Sequence, residues 1–408
     1  KVNTLSAEGE IAQHWSTTCR APHKSTFLWD AMFQTRGMNY VDPDLALEFI
    51  DTFLEFQDLK TGQMCSVIQP PKPAGCSEDA SVPNVAWTLL DNYKVKPNLP
   101  FLKKAFPKLE RYIEFDMHDR GHPITLPDGR SIKYLGGWAA AGDAGMDHEQ
   151  TFCPGHTWWT HQCHFDHFAV DYANYIIYEC QALSKLASIL GLESRVQYWS
   201  DLGTKVMKEM NEFLWDETTG FYYDMYYNGT LNPIKSVAGF YPLMVEGMPR
   251  DKIDALVRML QTPDFWTAVP VPTVAKSTPG FSTDLDRGPM WEQQNVYIIN
   301  GLYMYGYGKL ADKLKAISLK VVREYYEKWG VVFEFYDALN KTDPTQCLRK
   351  PSKPDIGECT PGVMGPPGHC GAGGIREYNF CAALALMWMR GYQDVETKVD
   401  ESSRMWMV

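Results

Sequence analysis

The sequence predicts an all-α protein folded as a single domain. Apolar residues recur at helical spacing through most of the chain, strand-forming runs are few and short, and no polar low-complexity linker divides the 408 residues. Hydrophobic residues make up 45% of the chain and aromatic residues 13%, too many for disorder and enough for a large core. Length alone admits two or three domains, but closed architectures fill this size as one unit.

Asp44 to Leu59 places Leu45, Phe49, Thr52, Phe53, Phe56 and Leu59 at helical spacing. Pro43 stands at its start, where a missing N–H costs nothing. Leu102 to Met117 predicts a second helix, and Phe165 to Leu190 a long third one that stops at Gly191. Glu193 to Leu214 follows, with Val196, Trp199, Leu202, Val206, Met210 and Phe213 as its apolar face. Asp251–Leu260, Met290–Tyr305, Lys309–Tyr326 and Tyr378–Met389 continue the series. The best strand signals are Phe221–Tyr227 and Val331–Phe335. Between these segments run long loops rich in Gly, Pro and aromatic residues, at 61–82, 119–163, 263–288 and 340–376. The last holds Cys347, Cys359 and Cys370 and reads as a disulfide-stapled insertion. The domain so defined covers residues 1–395, with 396–408 as a peripheral tail.

Asp plus Glu number 50 against 39 Lys plus Arg, a net charge of −11. An acidic surface repels phosphate backbones, which argues against nucleic acid as a partner. No apolar run approaches the roughly 18 residues of a membrane span, so no membrane partner is expected. The chain starts at Lys1 with neither Met nor an apolar leader, as a processed or truncated product does. Ten cysteines, several of them in loops, and the sequons Asn228-Gly229-Thr230 and Asn340-Lys341-Thr342 favour a secreted or lumenal glycoprotein with disulfides. A cytosolic enzyme with scattered buried thiols is the alternative. Oligomeric state and disulfide connectivity are not fixed by the sequence.

Four loops set Trp beside carboxylates: Phe27-Leu28-Trp29-Asp30, Trp138–Gln150, Asp284–Asn295 and Val331–Asp337. In one loop alone, such a Trp is core filling and the carboxylates are solvated. Four together suit a sugar, whose C–H faces pack on aromatic rings and whose hydroxyls need charged or amide partners. Glycoside hydrolysis further needs two carboxyl groups flanking the scissile bond.

These segments resemble glycoside hydrolase family 63 and its clan relatives, which include trehalases, processing α-glucosidases and mannosylglycerate/glucosylglycerate hydrolases. Gly145-Met146-Asp147 resembles the family's Ser-Gly-Met-Asp-Asn loop, and Phe27 to Asp30 its Phe-Phe-Trp-Asp segment. Arg287-Gly288-Pro289-Met290-Trp291, then Asn295 and Gly301-Leu302, is similar to its Arg-Gly-Pro-x-Trp motif. Phe213–Asp216 to Gly220–Asp224 resembles a recurrent helix-to-hairpin segment, and Glu334-Phe335-Tyr336-Asp337 the segment that carries the base. The resemblance implies an (α/α)6 barrel, an inner and an outer ring of six helices, with long loops and short β-hairpins at the active-site mouth. It also implies an inverting exo-α-glycosidase acting on a small α-glucoside or α-mannoside without a cofactor. Asp147 would be the general acid and Glu334 the base, with Trp29, Asp30, Trp138, Arg287 and Trp291 lining the sugar site.

The sequence departs from the family pattern in three places. Ala144 precedes Gly145 where the family has Ser, and His148-Glu149-Gln150 follows the acid where it has Asn-Ser-Pro. Ala338 to Thr342 replaces the Pro-x-Thr-Gly after the base, so Glu377 in Arg376-Glu377-Tyr378-Asn379 is an alternative base. A metal is not expected. His148, His156, His161, His164 and His167 cluster with Cys153 and Cys163 between them, but no Cys-x-x-Cys or His-Glu-x-x-His spacing occurs. Those histidines read as pocket lining or aromatic packing. The alternative functions are a non-catalytic carbohydrate-binding relative and a sugar epimerase or isomerase using His156, His161 or His164.

Overall fold

The structure, a computed structural model, describes residues 4–8, 11–19, 25–68, 81–147, 149–153, 163–349 and 374–390. Ten α-helices form within them: α1 (Leu28–Met38), α2 (Pro43–Glu55), α3 (Val85–Val95), α4 (Leu99–Asp119), α5 (Val170–Ile189), α6 (Glu193–Phe213), α7 (Arg250–Leu260), α8 (Glu292–Met304), α9 (Gly308–Trp329) and α10 (Asn379–Met389). A 3-10 helix containing Pro242 spans Val237–Met244.

Six of these elements close a ring. Helix α1 packs on α3, α3 on α5, α5 on the 3-10 helix, that helix on α8, α8 on α10, and α10 back on α1. Ring members lack a polar face: Val85 to Asn92 of α3 are buried in succession, as are Leu28 to Gly37 of α1 with Asp30 excepted. A helix buried all round belongs inside. The largest charge taken in is partnered: Arg36 pairs with Asp91 at 3.0 Å and lies 3.6 Å over the Trp87 ring. Gly37 lets α1 and α10 meet, because a Cβ there would lie 2.4 Å from the Ala383 carbonyl oxygen.

Outside the ring, α2 packs on α1 and α3, α4 and α6 on α5, α7 on the 3-10 helix, and α9 on α8. Each outer helix has one apolar stripe, such as Ile253, Leu256, Val257 and Leu260 in α7. Inner and outer elements alternate along the chain, which is the expected (α/α)6 barrel. Carboxylates tie neighbouring elements together. Glu179 of α5 accepts from the Ala86 and Trp87 amides at 2.8 and 2.9 Å, completing the first turn of α3. Glu209 of α6 accepts from the Lys133 and Tyr134 amides and anchors the hairpin of Ile124–Thr125 with Ser131–Ile132.

The elements differ from expectation in four respects. Helices α1 and α3 are absent from the sequence-based set, because neither has the polar face that gives amphipathic spacing. The expected helix from Phe165 begins only at Val170. His167–Phe168 instead pairs with Met225–Tyr226, and Asp224 Oδ1 takes the Val170 amide at 2.8 Å. Val331–Phe335 forms isolated bridges rather than a strand, with Phe333 opposite Arg376 and Tyr336 opposite Met290. Cys347 is an unbridged buried thiol, so a staple in 340–376 does not run through it; Cys359, Cys370 and the 396–408 tail lie outside the described residues. Tyr222 and Tyr223 pack within their hairpin, on Trp215 and Phe221. Among the described residues no helix is long and apolar enough to cross a membrane.

Candidate active site

The candidate residues gather where inner helices begin. Asp30 lies in the first turn of α1, Trp291 caps α8, Tyr378 caps α10, and Asp171, which holds Trp138, lies in the first turn of α5.

The loop bearing Asp147 is built on a buried carboxylate. Asp143 closes a 3-10 turn at Ala141–Asp143, accepts from the Ala139 and Ala140 amides at 3.2 and 3.1 Å, and pairs with Arg120 at 3.1 Å. At Gly145 the chain takes φ +65° and lies against the Trp29 ring. That ring is itself seated 5.7 Å from Phe33 and 6.0 Å from Tyr175, so the Trp29 and Asp147 segments meet directly. Beyond Asp147 the main chain turns back, with Glu149 N on Met146 O and Cys153 N on Glu149 O. A Cys153–Cys163 disulfide closes the next ten residues.

Glu334 is 1% exposed and fixed at both ends. Its amide donates to the Ile375 carbonyl at 2.9 Å, and its Oε2 accepts from the Ile375 amide at 3.2 Å. Arg349 grips its carboxylate as a fork, Nε to Oε2 at 2.6 Å and Nη2 to Oε1 at 3.0 Å. Burial works against the charge of Arg349. Glu334 and, beyond it, Tyr378 and Asp147 outweigh that and hold the guanidinium more firmly protonated than usual. Beneath, the Cys381 thiol donates to the Glu334 carbonyl at 3.2 Å.

Asp30 reports that these groups share one site. Burial pushes its carboxyl up to about 7, against a hydrogen bond from Tyr378 at 3.2 Å that favours the charged form. The negative charges of Glu334 and Asp147 push it further in the same direction. Asp147 and Glu334, far apart in sequence, therefore act on the same two residues, Asp30 and Arg349.

The other expected residues frame this centre. Trp138 donates its indole N–H to Asp171 Oδ1 at 2.9 Å and stands edge-on to Tyr172. Arg287 is buried between the charges of Asp284 and Asp286 and donates to the Cys153 carbonyl, joining its loop to the one after Asp147. Trp291 donates to the Leu285 carbonyl at 3.0 Å and packs on Phe335 and Phe380. Glu377 is exposed, with φ +57°, and its charge is not among those acting most strongly on Asp30 or Arg349. The residues missed by sequence reasoning are Arg349, in a loop without periodicity, and Tyr378, whose signal was its place beside Glu377.

A second nest of carboxylates lies behind the acid loop. Glu149 is buried and held far above the usual carboxylate range by burial, then by Asp171 and Asp224. Asp171 is pushed up to about 8 by burial and by Asp224. His167 is fully buried, 3.8 Å from Asp224 and stacked on Phe152, whereas His164 is exposed. His148, His156 and His161 lie outside the described residues. Among the described residues no three His, Cys, Asp or Glu side chains are grouped to hold a metal ion. Asn228 and Asn340 of the two sequons are exposed.

A family model described as the mannosylglycerate hydrolase MGH1-like glycoside hydrolase domain matches residues 22–342. The mannosylglycerate hydrolase of Rubrobacter radiotolerans is 30% identical over 154 residues, 36% of this chain and 34% of that protein. An uncharacterized protein of Borreliella burgdorferi is 31% identical over 153 residues, 36% of this chain and 31% of that one. The match thus spans about a third of these curated relatives. In structure, the chain resembles the GH63 mannosylglycerate hydrolase from Thermus thermophilus in complex with glucose, with TM-score 0.71 and 19% identity over 94% of this chain and 97% of that one. It also resembles the neutral trehalase Nth1 of Saccharomyces cerevisiae, with TM-score 0.62 and 12% identity over 95% and 76%. At these identities the structural likeness shows the fold.

Proposed function

The chain belongs to the mannosylglycerate hydrolase MGH1-like glycoside hydrolase family, and from that premise we propose that it hydrolyses a small α-glucoside or α-mannoside with inversion at the anomeric carbon. The observation that carries the reading is the joint action of Asp147 and Glu334 on Asp30 and Arg349. Two carboxyl groups on separate loops acting on one site support a pair of catalytic carboxyls, which in an inverting enzyme stand about 6.5–9.5 Å apart with a water between. Asp147 protonates the leaving oxygen. Glu334 takes a proton from a water that attacks the opposite face of the sugar. Asp30, beside Tyr378, accepts from sugar hydroxyls, and the Trp29 and Trp291 rings form apolar walls. The curated relative acts on a mannosylglycerate, which makes a sugar α-linked to a small acid the first substrate to try.

The test is product analysis by proton NMR on α-mannosyl and α-glucosyl glycerate beside 4-nitrophenyl α-glycosides. The expected first product is the β-anomer; a first-formed α-anomer, or no cleavage of any glycoside, overturns the reading. Asp147→Asn and Glu334→Gln are each expected to slow turnover of the glycerate glycosides at least about 100-fold. The nitrophenyl substrates should be less sensitive to Asp147→Asn, since their leaving group departs without a proton. The exposed sequon residues and the Cys153–Cys163 disulfide support a secreted or lumenal enzyme glycosylated at Asn228 and Asn340. A mass shift on glycosidase treatment of protein from its native source checks this, and an unmodified mass refutes it.

A further inference from the structure

A base that activates water must keep one oxygen lone pair for that water. The Glu334 carboxylate has about four acceptor positions, two on each oxygen. Oε2 takes the Arg349 Nε–H at 2.6 Å and the Ile375 amide at 3.2 Å, which fills it. Oε1 takes only Arg349 Nη2, at 3.0 Å, among the described residues. The two oxygens are therefore not equivalent.

We propose that Arg349 is a positioning residue that clamps the Glu334 carboxylate by both oxygens and leaves Oε1 as the atom that takes the proton from the attacking water. This rests on the assignment of Glu334 as the base. Three features make the clamp specific. A planar guanidinium fixes the rotation of the carboxylate plane, which an ammonium cannot do. The Ile375 amide comes from a segment already bridged to Glu334 through the main chain, so the Oε2 side is held by the framework. The cation also offsets the cost of burying a carboxylate that is 1% exposed. In the reaction, the water O–H bond breaks as its oxygen bonds the anomeric carbon, the proton passes to Oε1, and the glycosidic oxygen leaves with the proton from Asp147. Arg349 gains and loses nothing.

The experiment compares kcat, KM and the pH profile of kcat/KM for wild type, Arg349→Ala, Arg349→Lys and Glu334→Gln on the fastest glycoside. Losing the cation from Arg349→Ala should move the acidic limb to higher pH by about one unit or more, since a neighbouring charge has that influence on a carboxylate. Its kcat should fall at least about tenfold with KM little changed. Arg349→Lys should keep the wild-type acidic limb, because charge is retained, yet lose kcat, because the fork is not. A dead Glu334→Gln beside an Arg349→Ala with unmoved limb and unchanged kcat overturns the proposal and leaves the base assignment standing. So does a change confined to KM, which would make Arg349 a substrate ligand. If Arg349→Ala does not fold, Arg349→Lys decides: wild-type kcat in it refutes the clamp. An active Glu334→Gln would instead sink the base assignment and the clamp with it.

Discussion

Gly145→Ala is the substitution that most directly tests how the acid loop is held. Gly145 sits at φ +65°, and a Cβ built on it would lie 1.6 Å from Trp29 Cζ3 and 2.1 Å from Cε3. The ring has no room to retreat, being 6% exposed with Phe33 and Tyr175 against it. The left-handed backbone costs a residue with a Cβ about 1–2 kcal/mol, and forcing an extra carbon into a packed site about 1–3 kcal/mol more. A loss of about 2–5 kcal/mol follows if the fold resists, and if the loop yields instead, Asp147 two residues on is displaced. A shift of about 1 Å in a reacting group is worth about 100-fold in rate. Gly142→Ala in the same loop is the control, because a Cβ there meets nothing within 4 Å. It should stay within about 0.5 kcal/mol of wild type. Thermal unfolding by circular dichroism and turnover on one glycoside read both variants. If Gly145→Ala melts and turns over like Gly142→Ala, the contact between the acid loop and Trp29 is not what sets the site.

Glu292→Gln tests the buried carboxyls by pH. Burial pushes the Glu292 carboxyl up to about 8 from its ordinary 4.5, against the Cys381 thiol, which favours the charged form. Between these values the folded chain binds the proton more tightly than the unfolded one. Stability therefore falls as pH rises from about 4.5 to 8, and the deficit, on the order of a few kcal/mol, remains above that. The melting temperature of Glu292→Gln relative to wild type should thus rise from pH 5 to pH 9, and a pH-independent difference would refute the assignment. Cys153→Ser should cost about 3 kcal/mol, the worth of a short disulfide loop. It should also lower turnover, because Arg287 holds the Cys153 carbonyl; an unchanged melting curve on adding reductant to wild type would count against both effects.

The outer ring was legible in the sequence because an amphipathic helix carries its orientation in its spacing. Ile253, Leu256, Val257 and Leu260 mark the buried stripe of α7 without help from the rest of the chain. The inner helices α1 and α3 were not, since Val85 to Asn92 are buried on every side and include Asp91, which pairs with Arg36 and Lys94, and Asn92, which donates to Asn39 and Pro43. The candidate centre was legible to the extent that it lies in short motifs, Trp29 and Asp30 at the start of α1 and Asp147 in a turn. Arg349 was not, because a guanidinium in an irregular loop shows its purpose only when the loop is closed onto Glu334. Trp138 and Arg287 were expected to face a sugar. The structure commits the Trp138 indole N–H to Asp171 and an Arg287 N–H to the Cys153 carbonyl, so both also serve the framework.

The acidic composition acquires a different meaning inside the fold. Among the described residues thirteen carboxylates are buried against two arginines, Arg36 and Arg287, so much of the negative charge counted from the sequence is not on the surface. Several of these carboxylates accept main-chain amides: Asp143 in the acid loop, Asp224 at the start of α5, Glu179 at the start of α3, and Glu209 at a hairpin. Amides favour the charged form and burial opposes it: Asp143 also pairs with Arg120, whereas Glu179, with two amides, is still pushed up to about 7 by burial. Burial prevails at Glu149 and Asp171 too: the charges acting most strongly on them are other carboxylates, and both are held above the usual range. Glu334 is as deeply buried but receives the guanidinium of Arg349. One scaffold thus buries carboxyl groups in different surroundings: Glu149 and Asp171 among other carboxylates, and Glu334 in the fork of Arg349. The difference between them is the placement of a single arginine.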